Sequence, residues 1–463
     1  RDGAEMDGCV AVFDLGKTNI KLVIFDRPGN VLAERSKPNA PLPPDARWPY
    51  LRLDADLAWR FLLDSLKHLG AQFPIEAVSI ATHGAAGVLI GEDDFALPPM
   101  DYEFDGFAPV DGDYNAVRPP FEESFSPNLT RGLNLARQIF YLKRVFPQDF
   151  DRVRGFLCYP QYWAWRLGGE PASEVTSLGA HTDLWRPMEG RLSSMVERLG
   201  WTWLFPSLRR AWETLGTLKP ELAAQTGLSP QVRIICGAHD SNASLVPHLT
   251  ARTEPFTVVS TGTWVIMMAV GGKGKLDPKA DMLANVDVRG DPVPTARLMG
   301  GREFAALAGE APAEIREADV EAVVEAGVMA MPAFSDQGGP FAGRKGWIVG
   351  LKPATQVGRT ALATVYSALM TSHMLDRLEA PGDIIVEGGF NRSPAFAGLL
   401  AALMPGRNIV TAPTSGAAAG AARLARWGER REPPALSPVK AWNIARLLEY
   451  RDRWEARVQD AAA

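Results

Sequence analysis

Cysteine is scarce in this chain, basic residues are not in excess, and long apolar runs are missing. Cys9, Cys158 and Cys236 are odd in number and widely spaced, with no CxxC or zinc-ligand spacing. That argues against a disulfide framework and leaves reduced, mostly buried thiols, as expected in a cytoplasm. Lys and Arg number 49 against 54 Asp and Glu, a formal net charge of −5. No basic stripe is therefore available to displace the counterions of a nucleic acid. No apolar run approaches the roughly 20 residues that a membrane helix needs. G-x-S-x-G and H-E-x-x-H are absent, which removes the commonest serine-hydrolase and zinc-protease readings. Low-complexity tracts and short-period repeats are absent too. The polar opening from Arg1 to Gly8 lacks an apolar signal core and reads as a frayed leader.

What is present is the composition of an ordinary soluble globular enzyme, 46% hydrophobic and 22% charged. At 463 residues it is long enough for two or three domains. Two segments in opposite halves share one local design. Val10-Ala11-Val12-Phe13-Asp14-Leu15-Gly16-Lys17-Thr18-Asn19 leads into Ile20 to Asp26, and Val258-Val259-Ser260-Thr261-Gly262-Thr263-Trp264 leads into Val265 to Val270. Each is an apolar, β-branched run, a glycine–threonine turn and a second apolar run, so each predicts a strand–turn–strand. Glycine lets backbone N–H groups approach a ligand closely, and threonine hydroxyls add donors, as a polyphosphate requires. The pairing suggests a duplicated fold closing on a nucleotide.

Between these landmarks the pattern is α/β. Proline-rich 38–49 is a loop. Helices are expected over 56–69, 133–146 and 162–167, and a buried strand over 75–82 ending at His83-Gly84. The stretch 101–128, rich in Asp, Pro and aromatic residues, reads as an irregular excursion. The second half offers a strand at 232–236, an acidic helix over 310–326 and a long helix over 356–378. A strand at 383–387, a helix at 393–404, a strand at 408–411, an Ala-rich helix at 415–427 and a polar helix from 446 to 463 follow. The tryptophans 163, 165, 201 and 203 read as packing residues.

Four places carry chemistry. Asp14 ends a buried strand, where a carboxylate needs a cation or a partner. It reads either as a ligand of hydrated magnesium, which takes only one or two protein carboxylates, or as a turn-capping residue. Lys17 and Lys21 could neutralise phosphate charge. Asp240, in Gly237-Ala238-His239-Asp240, stands at the carboxyl end of a strand and opens a helix. It could accept a proton from a substrate hydroxyl or cap the helix. Glu387-Gly388-Gly389-Phe390-Asn391 offers two glycines against which a base or ribose could lie, or a tight turn; Thr414-Ser415-Gly416 opens the next helix similarly. His83 could bond a sugar hydroxyl or serve the fold; His181, His239 and His373 rank below it. Gly271-Gly272-Lys273-Gly274-Lys275 lacks the spacing of a P-loop and reads as a solvated loop.

Taken in order, these segments resemble the FGGY carbohydrate kinases, within the actin, sugar-kinase and Hsp70-like ATPase superfamily. Asp14-Leu15-Gly16-Lys17-Thr18-Asn19 is similar to the first phosphate motif, and Gly237 to Asp240 to the segment carrying the catalytic base. Ser260 to Trp264 is similar to the second phosphate motif, and Glu387 to Asn391 to the adenosine motif. The resemblance runs from about Cys9 to Trp427. It implies two RNase H-like lobes around a hinged cleft, with sugar on residues 1–242 and ATP on residues 243–463. It also implies Asp240 as the base and Asp14 as the magnesium residue. Gly16, Lys17, Thr18, Asn19, Thr261, Gly262 and Thr263 would hold phosphates, and Gly388, Gly389, Asn391 and Gly416 the nucleoside. Thr82, His83, Gly84, Gln161 and His239 would line the sugar.

Thr82-His83-Gly84 stands where rhamnulose kinases of the family have Thr-Trp-Gly. Tyr159-Pro160-Gln161-Tyr162 and the stretch from Ser173 to Thr182 resemble their Pro-Asp-Tyr and Thr-Thr-Gln. His83 replaces an aromatic wall, and Gln161 replaces a carboxylate. The resemblance favours a 6-deoxy-ketohexose such as L-rhamnulose or L-fuculose, phosphorylated by a cytoplasmic monomer or homodimer. Xylulose, ribulose, a polyol, a nucleotide-gated binding switch without transfer, and an acyl-phosphate-forming kinase are the competing readings. The last would need an arginine such as Arg131, Arg302 or Arg392 near the γ-phosphate.

Overall fold

The computed structural model describes residues 8–309, 311–413, 416–429 and 432–460. The chain forms two compact units: Arg1–Ala251 with Ala284–Pro292 and Gly416–Pro433, and Arg252–Leu283 with Val293–Ser415 and Pro434–Ala463.

In the first unit, Cys9–Leu15 and Asn19–Phe25 form the expected hairpin, and Val31–Pro38 adds a third antiparallel strand that the sequence pattern did not reveal. On its other side Cys9–Leu15 pairs in parallel with Ile75–Thr82, which pairs in parallel with Arg233–Ile235 and with the short Ala238–His239. Helix Ala55–Gly70 places Ala58, Phe61, Leu62, Leu66 and Leu69 on one buried face, and the Asp54 side chain caps it by accepting from Leu57 N. Each such aliphatic or aromatic side chain, once buried, contributes about 1.5–3 kcal/mol. The hairpin and the parallel strands are thereby held as one rigid platform.

The excursion expected to be irregular contains helices Ala108–Val117 and Phe121–Ser124. Of the first only Val110 and Tyr114 are buried. Its pattern is thus polar, with too few apolar positions to announce a helix. Tertiary packing of an aromatic cluster (Tyr50, Phe104, Phe107, Tyr114, Tyr141) selects it instead. Trp163 and Trp201 are buried as expected, whereas Trp203 is 55% exposed and packs edge-to-face against Phe150. All three cysteines are free and buried.

The second unit repeats the plan. Phe256–Thr261 pairs antiparallel with Val265–Val270 and parallel with Asp383–Gly388. Val265–Val270 pairs antiparallel with Pro292–Leu298, and Asp383–Gly388 pairs parallel with Ile409–Thr411. Three antiparallel strands beside parallel ones, entered through the same hairpin, make the two sheets counterparts. Helix Gln356–Arg377 runs through the core, capped by Thr355, whose side chain accepts from Gly358 N. The acidic helix covers only Glu317–Glu325, and residue 310 lies outside the described residues. Pro394–Leu403, Gly416–Leu424 and Leu447–Asp460 match the remaining expected helices within a few residues; 414, 415 and 461–463 lie outside the described residues. Among those described, no helix is long and apolar enough to cross a membrane.

Candidate functional site

Three parallel strands of the first unit end at one level. Asp14 stands opposite Ala81 and Leu15 opposite Thr82, while Ala238 and His239 stand opposite the same Ala81 and Thr82. Register alone therefore collects Asp14, Thr82-His83 and His239-Asp240 at the carboxyl edge of the sheet, where open α/β sheets meet their ligands.

Asp240 opens the one-turn helix Asp240–Ala243. Its Oδ1 accepts from Ser241 N at 2.6 Å and Ser241 Oγ at 3.3 Å, and His239 Nε2 lies 3.3 Å from it. Its side chain keeps 26% of its surface open. Burial raises its pKa, against the opposing pull of His83 and the Ser241 bonds. Asp14 has no hydrogen bond to its carboxylate among the described residues. Burial, and then the charge of Asp240, push it up to about 7, with Lys21 opposing. A buried carboxylate raised further by a neighbouring one and without donors of its own suits a divalent cation. No cluster of three or more His, Cys, Asp or Glu that could hold a metal ion forms among the described residues.

The histidines are neutral neighbours. Burial lowers the pKa of both, His239 to about 4. His83 Nδ1 lies 2.9 Å from the Gly84 carbonyl. The ring therefore carries its proton there and presents Nε2, which is buried without a partner among the described residues, as an acceptor. Gly84 leaves room for the His239 ring, because a Cβ would come 2.6 Å from His239 Nε2 and push the ring aside.

Other expected residues serve in different ways. Thr82 is fully buried and donates to its neighbour's carbonyl. Gln161 is also fully buried; its Nε2 donates to the carbonyls of Cys236 and Gly237, bracing the turn before His239-Asp240. The Gly16–Asn19 turn is closed by Gly16 N–H to Asn19 O at 2.9 Å, and its Gly16 carbonyl accepts from Asn39. Thr18 and Asn19 are exposed. Lys17 is bonded to buried Asp101, lies 3.4 Å from Glu103 and stands over the Tyr102 ring. Lys21 lies 3.2 Å from Glu34. Both lysines expected to neutralise phosphate are thus already paired with carboxylates. Gly416 opens a helix whose Gly420 packs so tightly on Ala243 that a Cβ would meet its carbonyl at 1.8 Å.

Sequence reasoning missed Asp101 and Glu174. Glu174, pushed up to about 7 by burial, accepts from Thr176 N and Oγ1. Thr176 Oγ1 accepts from His239 N at 3.0 Å, and its carbonyl accepts from Asn242. This chain holds the His239-Asp240 segment, and nothing in the periodicity of residues 173–182 signals it.

In the second unit, Thr261 Oγ1 donates to Glu387 O at 2.6 Å and accepts from Phe390 N at 3.0 Å. Its hydroxyl thus locks the two motifs together. Gly262 and Thr263 form the exposed tip of the hairpin. Gly388 has φ +90°, and a Cβ there would meet Thr261 O at 2.1 Å. A Cβ on Gly389 would make only an ordinary 3.7 Å contact with Thr261 O, and Asn391 Nδ2 donates to Val386 O and Ala412 O. Gly389, Phe390, Arg392 and Ser393 line a cavity of about 390 Å³ with Phe304, Ile315 and one face of helix Gln356–Arg377.

Comparison with known proteins agrees with this arrangement. Residues 128–247 match the family model described as the FGGY family of carbohydrate kinases, N-terminal domain, and residues 253–433 the one described as carbohydrate kinase FGGY, C-terminal domain. The crystal structure of a carbohydrate kinase from Novosphingobium aromaticivorans is 36% identical, covering 98% of this chain and 99% of that one with a TM-score of 0.88. An L-fuculokinase of Escherichia coli (strain K12) is 27% identical over 272 residues, 56% of each chain. A rhamnulokinase of Halalkalibacterium halodurans is 27% identical over 141 residues, 29% of this chain and 28% of its own. The match thus spans little more than half the length of that fuculokinase.

Proposed function

This chain belongs to the FGGY family of carbohydrate kinases, and from that premise we propose that it transfers the γ-phosphoryl group of ATP to a sugar hydroxyl with Asp240 as general base. The supporting observation is Asp240 itself. It is a carboxylate of raised proton affinity, partly open to solvent, at the edge where three strands end and beside neutral His83.

Asp240 accepts the hydroxyl proton as the sugar oxygen bonds to the γ-phosphorus. The bond from that phosphorus to the β–γ bridging oxygen breaks, and ADP leaves with the bonding pair. A carboxylate raised by burial suits the task, because it is a stronger proton acceptor than an exposed one. His239 and Ser241 hold the carboxylate in one orientation, and Glu174 with Thr176 holds the segment that bears it. Asp14 would hold magnesium, which supplies neutralising charge to the phosphates when bound. The Gly16–Asn19 turn and the Gly262-Thr263 tip would meet the phosphates through backbone N–H groups and hydroxyls. Gly388, Gly389, Asn391 and the Phe304–Phe390 cavity would hold the nucleoside. Residues 1–242 would carry the sugar site and residues 243–463 the ATP site, with Gly416 at the nucleoside.

The favoured acceptor is a 6-deoxy-ketohexose such as L-fuculose or L-rhamnulose. The likeness to a fuculokinase and a rhamnulokinase supports it, as does a polar His83 with an acceptor nitrogen. A coupled assay of sugar-dependent ADP release over ketoses, aldoses and polyols tests the reading. Turnover with a ketose, lost in Asp240→Asn while ADP binding is kept, is the expected result. Turnover retained by Asp240→Asn removes the base. No sugar stimulating release favours a nucleotide-gated binding protein.

A further inference from the structure

The cavity in the second unit is lined by aromatic and aliphatic carbon, by the exposed Glu314 and Arg392, and by four hydroxyl residues, of which one differs from the rest. Phe304 and Phe390 rings pack 5.6 Å apart, and Phe390 and Phe396 4.9 Å apart, giving an aromatic wall. Opposite runs helix Gln356–Arg377, which contributes Thr360, Thr364 and Ser367, spaced to share one face. The first two hydroxyls are committed. Thr360 Oγ1 donates to Gln356 O at 2.9 Å and accepts from Ala313 N at 3.0 Å, and Thr364 Oγ1 donates to Thr360 O at 2.8 Å. Ser393 Oγ accepts from Ala395 N. Ser367 Oγ is different: the residue is 3% exposed, and the hydroxyl has no partner among the described residues. An unmade hydrogen bond at a buried hydroxyl is costly, so this group is poised for a ligand.

We propose that Ser367 reads the edge of the nucleobase, and that the cavity therefore accepts 6-aminopurine and 6-oxopurine nucleotides alike. This rests on the nucleotide reading above. A flat heterocycle of purine size is the ligand class that an aromatic wall with one uncommitted buried hydroxyl would take. A hydroxyl both donates and accepts. It can accept from the 6-amino group of adenine or, after rotation, donate to the 6-oxo group of hypoxanthine. Strong rejection of one base needs a buried group left unpaired by it. A rotatable hydroxyl is left unpaired by neither.

Calorimetric titration of the full chain with ADP, IDP and purine riboside 5′-diphosphate, which lacks the 6-substituent, tests the proposal without turnover. The wild type should bind IDP within about tenfold of ADP and the unsubstituted purine at least about threefold more weakly than either, the scale of one neutral hydrogen bond. Ser367→Ala should erase the advantage of the 6-substituted purines. IDP binding more than about tenfold weaker than ADP, or a ranking unchanged in Ser367→Ala, overturns it. Failure of the wild type to bind any of the three defeats the nucleotide reading itself. A sugar kinase that binds ADP but rejects IDP loses only the role given to Ser367.

Discussion

Nε2 of His239 sits 3.3 Å from Oδ1 of Asp240, and the ring can occupy that place only because residue 84, on the neighbouring strand's exit, has no side chain. A histidine whose seat is cut by a glycine thus lies against the proposed base.

Gly84→Ala follows directly. The new methyl would meet the far edge of a ring rather than backbone, so the ring tilts and the fold survives. Turnover should fall by about 10- to 100-fold, the scale of a small misplacement of a reacting group. The melting temperature should stay near that of the wild type. Steady-state kinetics with a thermal melt check both; unchanged kcat would show that His239 does not orient the base.

Lys17 separates two roles. Its bond to buried Asp101 ties the hairpin turn to the 101–103 segment. Lys17→Met leaves that carboxylate uncompensated, at a cost of about 2–3 kcal/mol in denaturant unfolding. If the pair persists during catalysis, KM should rise for the sugar more than for the nucleotide. A rise confined to nucleotide KM would restore Lys17 as a phosphate-neutralising residue.

Asp14 gives a pH signature. Its pKa of about 7 lies above the ordinary carboxylate value, so the folded state binds that proton more tightly than the unfolded chain. The resulting stabilisation is full below about 4 and is lost as pH rises towards 7. Glu174, also near 7, acts in the same sense. His239 and His373, both near 4, oppose it, because the unfolded chain binds more protons between about 4 and 6.5. Asp14→Asn isolates the first effect. It should melt about 2 °C or more above the wild type at pH 8, with the gap closing as pH falls towards about 4. Added magnesium with ADP should raise the wild-type melting temperature more than that of the variant. Equal shifts would remove Asp14 from the metal site.

The pH–rate profile follows from the same raised proton affinities, with the opposite slope. In the proposed mechanism Asp14 and Asp240 act as anions, and both have raised proton affinity. In the wild type kcat/KM should therefore climb as pH rises through about 7 and level off above. The histidines, lowered by burial, stay neutral across that range and do not shape it. A profile flat from pH 5 upward would contradict the raised carboxylates.

Gly388→Ala tests the second unit. Its φ of +90° and the 2.1 Å approach to the Thr261 carbonyl leave no room that a side chain could yield. Loss of about 3 kcal/mol or more is expected. Wild-type stability in the variant would mean that the two strands are not held so closely.

Much was legible before any coordinates. The two hairpins, the strand 75–82 and the long helix from Gln356 announce themselves through apolar spacing and glycine–threonine turns, because local sterics and burial periodicity act over a few residues. Asp14 and Asp240 could be named as candidates, since a carboxylate ending an apolar strand is costly wherever it occurs. The helix Ala108–Val117 could not be read, for it is selected by distant aromatic packing rather than by its own pattern. Neither could the roles of Lys17 and Gln161. Their partners, Asp101 and the Cys236–Gly237 carbonyls, are 84, 75 and 76 residues away, and only the folded chain brings them into contact.

The chain by itself determined which groups are present: two strand-ending acids, paired turns, and glycines where the backbone must turn left or approach closely. Tertiary structure alone decided which of those groups act on one another. Register between parallel strands sets the spacing of Asp14, His83 and Asp240, and desolvation, a property of the whole fold, sets their proton affinities.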